Sequence, residues 1–210
     1  MIEILCKAGV SYLLGSILGS LVVGRLRGVD IRSLGSGNAG STNALRTQGK
    51  VFALAVLVID AGKGWVAAVW IPALALPLGP PAQASQWLPA ICAAAAMLGH
   101  VYPIWFGFRG GKAVATLLGA LAGLAPLLLA STLLLWLAVA ALTGFISVAS
   151  MTAALVLPLE VLTVGAHPPL TAFAVFAAIL VIFAHRGNLR RLRAGREPRT
   201  RRPWRFRRAA

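Results

Sequence analysis

The feature that most constrains this chain is a succession of long apolar runs separated by short polar connections. A helix that crosses a bilayer needs roughly 20 predominantly apolar residues, and most of the runs approach that length. The pattern predicts an all-α integral membrane protein with seven transmembrane helices, of which the fourth is short. The predicted spans are Ile4–Val23, Val51–Leu76, Trp87–Phe106, Lys112–Leu124, Pro126–Leu142, Phe145–Val164 and Pro169–Ala184.

Composition excludes the main alternatives to a membrane protein. Hydrophobic residues make up 59% of the 210-residue chain and charged residues only 12%. A soluble domain carries roughly 25% charged residues, and a disordered chain is poor in hydrophobic ones. The two cysteines, Cys6 and Cys92, lie in apolar runs, so we expect neither a disulfide framework nor a metal site.

Basic residues mark one side of the membrane. The formal net charge is +15, and eleven arginines follow His185. Most other basic residues lie in the first connection (24–50) and the third (107–112), whereas the second, fourth and sixth have none. Because cytoplasmic loops carry an excess of Lys and Arg, we expect the N-terminus outside and the C-terminus in the cytoplasm. This alternation also supports the short fourth span, since without it the basic tail would lie outside.

The first polar segment that suggests chemistry is Leu34–Arg46. Its glycines allow successive backbone N–H groups to converge on an anion, and its hydroxyl and amide side chains add donors. Arg46 can clamp a phosphate with two parallel hydrogen bonds. The segment lacks P-loop spacing, and a flexible polar loop is the alternative. The candidate residues are Ser36, Gly37, Asn38, Gly40, Thr42, Asn43 and Arg46.

The second segment places Gly110, Gly111 and Lys112 at the start of the fourth helix. A helix N-terminus presents free N–H groups and the positive end of the helix dipole, which favours anions. Lys112 adds a positive charge there. His100, near the cytoplasmic end of the third span, is either a base or, more commonly for such a histidine, a hydrogen-bonding anchor.

The third segment follows the last span. His185 and Asn188 lie three residues apart and share a helical face. The arginines from Arg199 to Arg208 are expected to anchor the chain to anionic lipid, a role that needs neither His185 nor Asn188. Ser147, at the start of the sixth span, is either a helix-packing group or a ligand contact.

Asp60 and Lys63 place two charges within the second span. They are one helical turn apart, so an ion pair can form. Charges at membrane depth are costly and face protein or water. The sequence leaves open whether this pair is structural or functional.

Together, these segments resemble the bacterial acyl-phosphate-dependent glycerol-3-phosphate acyltransferases. Residues 36–46 are similar to the first cytoplasmic motif of that family, SGNxGxTNxxR, and residues 99–116 to the second, GHxxPxxxxFxGGKGVAT. Residues 144–150, followed by 185–188 and by 195–197, are similar to the third. The resemblance covers almost the whole chain in order.

Two further positions bear on the resemblance. Asp60-Ala-Gly-Lys63-Gly64 matches a DxxKG pattern of the family's second helix. Ala113 is a departure, because the family usually has a glycine after the motif lysine. A methyl group at that position would tighten a site that needs close backbone approach.

The resemblance implies transfer of a fatty acyl group from acyl phosphate to the 1-hydroxyl of sn-glycerol 3-phosphate. The products are lysophosphatidic acid and phosphate, in the first acylation of phospholipid synthesis. The implied partners are acyl phosphate from the bilayer, glycerol 3-phosphate from the cytoplasm, and membrane lipids. No metal, organic cofactor or nucleic acid is implied. We expect a monomer in the bacterial cytoplasmic (inner) membrane, with its active site facing the cytoplasm.

The resemblance also assigns roles to residues. Two phosphates must be held close together, so cations and N–H donors are expected around them. The candidate catalytic residues are Ser36, Arg46, Lys112, His185 and Asn188. The candidate substrate-binding residues are Gly37, Asn38, Gly40, Thr42, Asn43, Gly110, Gly111 and Ser147, with His100, Asp60 and Lys63 as further candidates. Glu197 is expected to be structural.

Two other functions compete with this one. An organic-phosphate transporter would use the basic cytoplasmic loops to gather solute, but the sequence shows no inverted repeat. A non-catalytic membrane anchor that binds lipid or nucleic acid would explain only the tail. For the enzyme, we expect a membrane acyltransferase domain at residues 1–198 and an Arg-rich cytoplasmic tail at 199–210.

Overall fold

The regular structure of the chain is helical throughout the part that the computed structural model describes, residues 1–76, 85–165 and 167–200. The all-α prediction is therefore confirmed for these residues. Most of the predicted second connection (77–86) and of the Arg-rich tail (199–210) lies outside the described residues, as does Ala166 in the sixth connection. The α-helices are α1 Ile2–Gly15, α2 Gly19–Arg25, α3 Ser41–Gln48, α4 Lys50–Ala73, α5 Leu88–Val101, α6 Val114–Leu124, α7 Pro126–Thr143, α8 Ile146–Thr163, α9 Pro168–Ala184 and α10 Arg186–Arg193.

Each predicted span corresponds to a helix or to a bent pair of helices. Within the described residues, four helices are long and apolar enough to cross a bilayer alone: α4, α5 extended to Phe106, α7 and α8. The bent pairs α1–α2 and α9–α10 raise the number to six if each pair is one span, and α6 is a shorter apolar helix. The short fourth span starts at Val114 rather than at Lys112, because Ala113 has a left-handed φ of 57° that interrupts the helix.

The first predicted span is not continuous. It consists of α1 and α2, which bend by 47° around residues 16–18. Glycines on both sides of the break permit close packing against different helices. A Cβ atom on Gly15 would lie 2.2 Å from the carbonyl oxygen of Ala96 in α5, and one on Gly19 would lie 2.9 Å from that of Val56 in α4. The bend therefore lets each half pack closely on its own neighbour.

Small residues also bring α4 and α6 together. A Cβ atom on Gly64 would lie 2.1 Å from the carbonyl oxygen of Thr116, and one on Gly119 would lie 1.8 Å from that of Ala61. Such close backbone approach is typical of helix pairs in membranes. It fixes the position of α6 and therefore of the segment that precedes it.

An ion pair between Glu3 and Lys7 of α1 is buried in the bundle. Glu3 and Lys7 are 3% and 1% exposed, and Lys7 Nζ lies 2.7 Å from Glu3 Oε1. Lys7 also donates a hydrogen bond of 2.8 Å to the carbonyl oxygen of Pro72 in the last turn of α4. Carbonyls in that turn have no helical partner, so Lys7 joins the beginning of α1 to the end of α4.

Candidate active site

The three polar segments identified in the sequence converge at one end of the helix bundle. The first segment precedes and includes α3, the second runs from the end of α5 to α6, and the third comprises the start of α8 together with α10 and the residues after it. Arg32, two residues before the first segment, donates a hydrogen bond to the second, and a side-chain hydrogen bond joins the second to the third. Within the third, hydrogen bonds join its α8 part to its C-terminal part.

Asn43 shapes the first segment from within. Its side chain is 1% exposed. Its Oδ1 accepts a hydrogen bond of 3.0 Å from the backbone of Ser36, and its Nδ2 lies 3.0 Å from the carbonyl oxygens of Ile31, Leu34 and Asn38. Because its side-chain amide is used within the loop, Asn43 positions the neighbouring donors. Ser36 itself is exposed.

Two glycines make this loop geometry possible. Gly35 and Gly37 have φ values of 57° and 71°, in the left-handed region that favours glycine. A Cβ atom on Gly35 would lie 2.4 Å from Asn43 Oδ1. A side chain at Gly35 would therefore displace the residue that organises the loop.

Arg32, two residues before the first segment, connects that part of the chain to the second segment. Its guanidinium donates hydrogen bonds of 3.2 Å and 3.4 Å to the carbonyl oxygens of Phe106 and Arg109. It also pairs with Asp30 at 2.7 Å, and this contact lowers the pKa of Asp30. The sequence indicated Arg32 only as a loop charge, since nothing in its local pattern reveals a partner more than 70 residues away.

The Gly110-Gly111-Lys112 segment is held by backbone contacts to the end of α5. The Gly110 and Gly111 N–H groups donate to the carbonyl oxygens of Val101 and His100 at 3.2 Å and 3.0 Å. A Cβ atom on Gly111 would lie 2.1 Å from His100 Nε2. Both glycines are therefore required by close packing, and Lys112 projects from a fixed backbone.

A chain of polar contacts joins Lys112 to α8. Lys112 donates to Asn188 Oδ1, and Asn188 Nδ2 donates to Glu197 Oε1 at 2.6 Å. The same Oε1 accepts a hydrogen bond of 2.7 Å from Ser147. Arg191 donates to the other oxygen, Oε2, at 2.8 Å. Glu197 thus unites α8, α10 and the segment before α6.

The electrostatics of this cluster favour an anion. The pKa of the Lys112 ammonium is lowered to about 8, mainly by burial and also by the positive charges of Arg191 and Arg46, against the opposing effect of Glu197. The pKa of Glu197 is also lowered. Burial opposes that shift, but hydrogen bonds from Asn188, Ser147 and Arg191 outweigh it. A bound phosphate would relieve the mutual repulsion of the cations.

His185 adjoins this cluster at the junction of α9 and α10. Its ring is 3% exposed, and Nδ1 lies 2.8 Å from the carbonyl oxygen of Val181. A carbonyl only accepts, so Nδ1 carries the proton, and Nε2 of the neutral ring is an acceptor. This fits a group that binds a hydroxyl or receives a proton.

A cavity of about 310 Å³ opens beside the cluster and is lined by all three segments. Its lining includes four cationic residues, Arg109, Lys112, Arg186 and Arg190, which suits a small phosphate-bearing molecule. Arg186 and Arg190 were absent from the sequence-based candidates, although their place on the same short helix as Asn188 was a usable signal. The lining residues are Asn38, Val101, Tyr102, Phe108, Arg109, Gly110, Gly111, Lys112, Ala184, Arg186, Gly187 and Arg190.

The structure divides the predicted site residues into groups. One group is joined by hydrogen bonds and consists of Lys112, Asn188, Ser147 and Glu197. A second group lines the cavity and includes Asn38, Gly110 and Gly111. Arg46 lies close enough to Lys112 to influence its pKa. Gly40 packs beside Asn38, and Thr42 is half-buried in the first turn of α3. Asp60, Lys63 and His100 form a separate buried cluster. Among the described residues, no group of three or more His, Cys, Asp or Glu side chains is arranged to hold a metal ion.

The chain is similar to known proteins over almost its whole length. The family model for "Glycerol-3-phosphate acyltransferase" matches residues 5–195. The glycerol-3-phosphate acyltransferase of Geobacter sulfurreducens is 43% identical over 199 residues, which covers 95% of this chain and 98% of that protein. That of Burkholderia ambifaria is 44% identical over 200 residues and covers 94% and 91%.

Solved structures show the same similarity in three dimensions. The crystal structure of PlsY, an integral membrane glycerol 3-phosphate acyltransferase, in its glycerol 3-phosphate form superposes with a TM-score of 0.85 at 35% identity. The aligned region covers 94% of this chain and 96% of that one. The lysophosphatidic acid form gives a TM-score of 0.84 at 34% identity, covering 95% and 96%.

Proposed function

The chain belongs to the glycerol-3-phosphate acyltransferase family, and from this membership we propose how its polar cluster performs the reaction. The protein is a multi-pass integral membrane enzyme that acylates glycerol 3-phosphate. Its acyl donor is acyl phosphate, and its products are lysophosphatidic acid and inorganic phosphate. The observation that carries the assignment is the contact of Lys112 with Asn188 and, through it, with Glu197, because it joins the second and third polar segments beside a cavity.

The reaction is a direct acyl transfer. The 1-hydroxyl oxygen of glycerol 3-phosphate attacks the carbonyl carbon of acyl phosphate. A C–O ester bond forms, the C–O bond to phosphate breaks, and the hydroxyl proton leaves with a phosphate oxygen or through His185. Phosphate is a good leaving group from this mixed anhydride, so orientation and charge stabilisation supply the main catalytic effect.

The basic side chains hold the two phosphates close together. Lys112 and Arg46 clamp phosphate. Gly37, Gly110 and Gly111, whose N–H groups are bonded within the protein, shape the backbone around it, and Gly40 lies at the N-terminus of α3. Ser36 and Asn38 contact the reacting phosphate or carbonyl, with Thr42 beside them. Asn43 preserves the shape of the loop, and Ser147, Asn188 and Glu197 hold Lys112 in position.

We further propose that the chain crosses the membrane seven times, with α1–α2, α4, α5, α6, α7, α8 and α9 as the spans. The N-terminus then lies outside, and the cavity faces the cytoplasm of a bacterial inner membrane. The enzyme acts as a monomer. The membrane domain extends slightly beyond residue 198, because Thr200 donates hydrogen bonds to the Gly144 carbonyl and the Arg199 guanidinium lies 4.6 Å from the Phe145 ring.

The experiment is an assay of purified protein with palmitoyl phosphate and glycerol 3-phosphate. We expect stoichiometric release of phosphate and lysophosphatidic acid. Palmitoyl coenzyme A as the only donor tests the alternative chemistry and should give no product. Turnover with the coenzyme A ester but not with the acyl phosphate would refute the proposed donor.

Variants test the clamp in the same assay. Lys112→Ala should reduce kcat/KM by at least about a hundredfold, as expected for loss of a charge-assisted contact to the substrate phosphate. Lys50→Ala is a matched control, because it removes an exposed lysine at the start of α4 that has no proposed role. Equal activity of the two variants would contradict the role of Lys112.

A further inference from the structure

Three buried ionisable side chains lie outside the cluster that the reaction uses. Asp60 and Lys63 of α4 are 1% and 5% exposed, and His100 of α5 is 2% exposed. Lys63 Nζ lies 3.0 Å from Asp60 Oδ1, and His100 Nδ1 lies 3.5 Å from the same oxygen. Charged groups at this depth are costly unless they are paired. Their arrangement therefore requires an explanation.

The first part of the explanation is the break between α1 and α2. The N–H group of Gly19, the first residue of α2, donates to Asp60 Oδ1 at 3.1 Å. Lys63 Nζ donates to the carbonyl oxygen of Ile17 at 2.7 Å. The break exposes backbone groups that a continuous helix would satisfy internally. The ion pair satisfies one donor and one acceptor there, and it links the break to α4.

The second part is the contact between His100 and the glycines before Lys112. Nδ1 of the His100 ring faces Asp60. A Cβ atom on Gly111 would lie only 2.1 Å from Nε2 of the same ring. The Gly111 N–H group donates to the His100 carbonyl, and a Cβ atom on Gly110 would lie 2.0 Å from that same oxygen. The backbone before Lys112 therefore rests directly on His100.

The end of α1 also holds the other end of this loop. The Tyr12 hydroxyl donates to the Tyr102 carbonyl at 2.7 Å, and Ser16 Oγ accepts a hydrogen bond of 3.4 Å from the Ile104 N–H group. The Trp105 indole donates to the carbonyl of Leu13 at 3.3 Å. The loop from residue 101 to residue 112 is thus fixed at both ends. Its first residues bond the end of α1, next to the break that Asp60 and Lys63 contact, and its last glycines pack on His100.

We propose that Asp60 is a positioning residue that orients His100 and the α1–α2 break, and through them places Lys112 for phosphate binding. Asp60, Lys63 and His100 act on the loop and do not touch the substrate. This inference rests on the proposed phosphate-binding role of Lys112. It explains how two charges inside a span serve a reaction at the membrane surface.

Binding of glycerol 3-phosphate by purified protein, measured by calorimetry, tests the inference in a double-mutant cycle. Asp60→Asn should weaken binding by about tenfold in the wild-type background and by less than about twofold in a Lys112→Ala background, since a residue that acts through Lys112 has nothing to position once the ammonium is gone. A merely structural role would weaken binding by the same factor in both backgrounds, and that result would overturn the inference.

Kinetics give a second test with controls. Asp60→Asn should raise KM for glycerol 3-phosphate while changing kcat by less than about threefold, and Asp60→Glu should restore much of the loss. Glu160→Gln is the matched control, because it removes another carboxylate of a spanning helix, one that accepts hydrogen bonds from Ser131 and Thr132. An unchanged KM in Asp60→Asn, or the same increase in Glu160→Gln, would refute the inference.

A variant that does not fold, and a failure of the proposed function, can each be distinguished from a failure of the positioning role. If Asp60→Asn does not fold, His100→Gln replaces it in the same cycle, because it leaves the Asp60–Lys63 pair intact. If wild-type protein binds glycerol 3-phosphate and turns over but both variants behave as wild type, the positioning role alone is wrong. Wild-type protein that binds no glycerol 3-phosphate would overturn both proposals.

Discussion

The Ser147 hydroxyl donates a hydrogen bond of 2.7 Å to the Glu197 carboxylate across a separation of 50 residues. The same carboxylate oxygen accepts a hydrogen bond from Asn188 Nδ2, and Asn188 Oδ1 accepts one from the Lys112 ammonium. Glu197 therefore sets the orientation of Asn188: with Nδ2 turned to the carboxylate, Oδ1 faces Lys112. This arrangement links the position of α8 to that of Lys112, the lysine that we propose binds phosphate.

Replacement of Glu197 by Gln should impair the enzyme without unfolding it. The Gln amide can accept from Asn188 or donate to it, so the orientation of Asn188 is no longer unique, and Arg191 loses its ionic partner. We expect kcat/KM to fall by about ten- to a hundredfold in the acyl phosphate assay. Ser147→Ala, which removes only one donor, should cost less than about tenfold. A larger effect for Ser147→Ala than for Glu197→Gln would contradict this order.

The pH dependence should report the ionisation of Lys112. Because its pKa is lowered to about 8, the ammonium is charged below that pH and loses its proton as the pH rises above it. The kcat/KM for glycerol 3-phosphate should therefore decline above about pH 8, since this quantity reports ionisations in the free enzyme. Lys112→Arg, whatever activity it retains, should show no decline until a much higher pH, because guanidinium remains charged. A wild-type profile that stays flat well above pH 8 would be incompatible with the clamp.

Ala113 carries a local strain that glycine would relieve. Its φ of 57° is in the left-handed region, where a non-glycine residue costs about 1–2 kcal/mol. Its fully buried methyl group, however, packs within the main hydrophobic core, and burial of about one methyl group contributes a comparable amount. Ala113→Gly should therefore change the free energy of unfolding, measured by thermal unfolding in detergent, by less than about 1 kcal/mol and leave the enzyme active.

The opposite change at this position should be severe. Ala113→Val puts a β-branched side chain at positive φ, where such residues are strongly disfavoured, and adds volume to a packed core. We expect the same unfolding measurement to show a loss of stability of more than about 2 kcal/mol. If the Ala113→Val variant unfolded at the same temperature as the wild type, the left-handed backbone at this position would be refuted.

Lys7→Met should destabilise the membrane domain. The ammonium is buried and bonds both Glu3 and the Pro72 carbonyl, and removing one member of a buried pair typically costs about 3–5 kcal/mol. The midpoint of thermal unfolding in detergent should fall clearly. The double variant with Glu3→Gln should recover part of the loss, since it removes the carboxylate charge as well. A double variant less stable than Lys7→Met would contradict a pairing role.

Hydropathy predicted the helices well because it sums over neighbouring residues. Most boundaries, such as Pro126–Leu142 against Pro126–Thr143, differ by only one or a few residues. The first span was predicted as one helix, and the structure breaks it at residues 16–18. Asp60 and Lys63, more than 40 residues away, bond the backbone at this break, and the local sequence does not reveal those partners.

The sequence predicted which residue types form the candidate site but not the role of each residue in it. Glycines, hydroxyls and isolated cations in three segments indicated phosphate binding before any contact was known. The role of Asn43 within its loop and the partnership of Arg191 with Glu197 followed only from the fold. A side chain's type limits which bonds it forms, whereas its surroundings decide which of them it does form.

By itself, the sequence determined a helical membrane protein with three polar segments suited to phosphate chemistry, because apolar length and residue type are properties of the chain alone. The tertiary structure decided which polar groups face the cavity and which ones support it. Lys112 meets Asn188 across 76 residues, and Asp60 meets His100 between two spans. Such pairs depend on how closely the helices approach, and glycines such as Gly64 and Gly119 set that approach only once the bundle has formed.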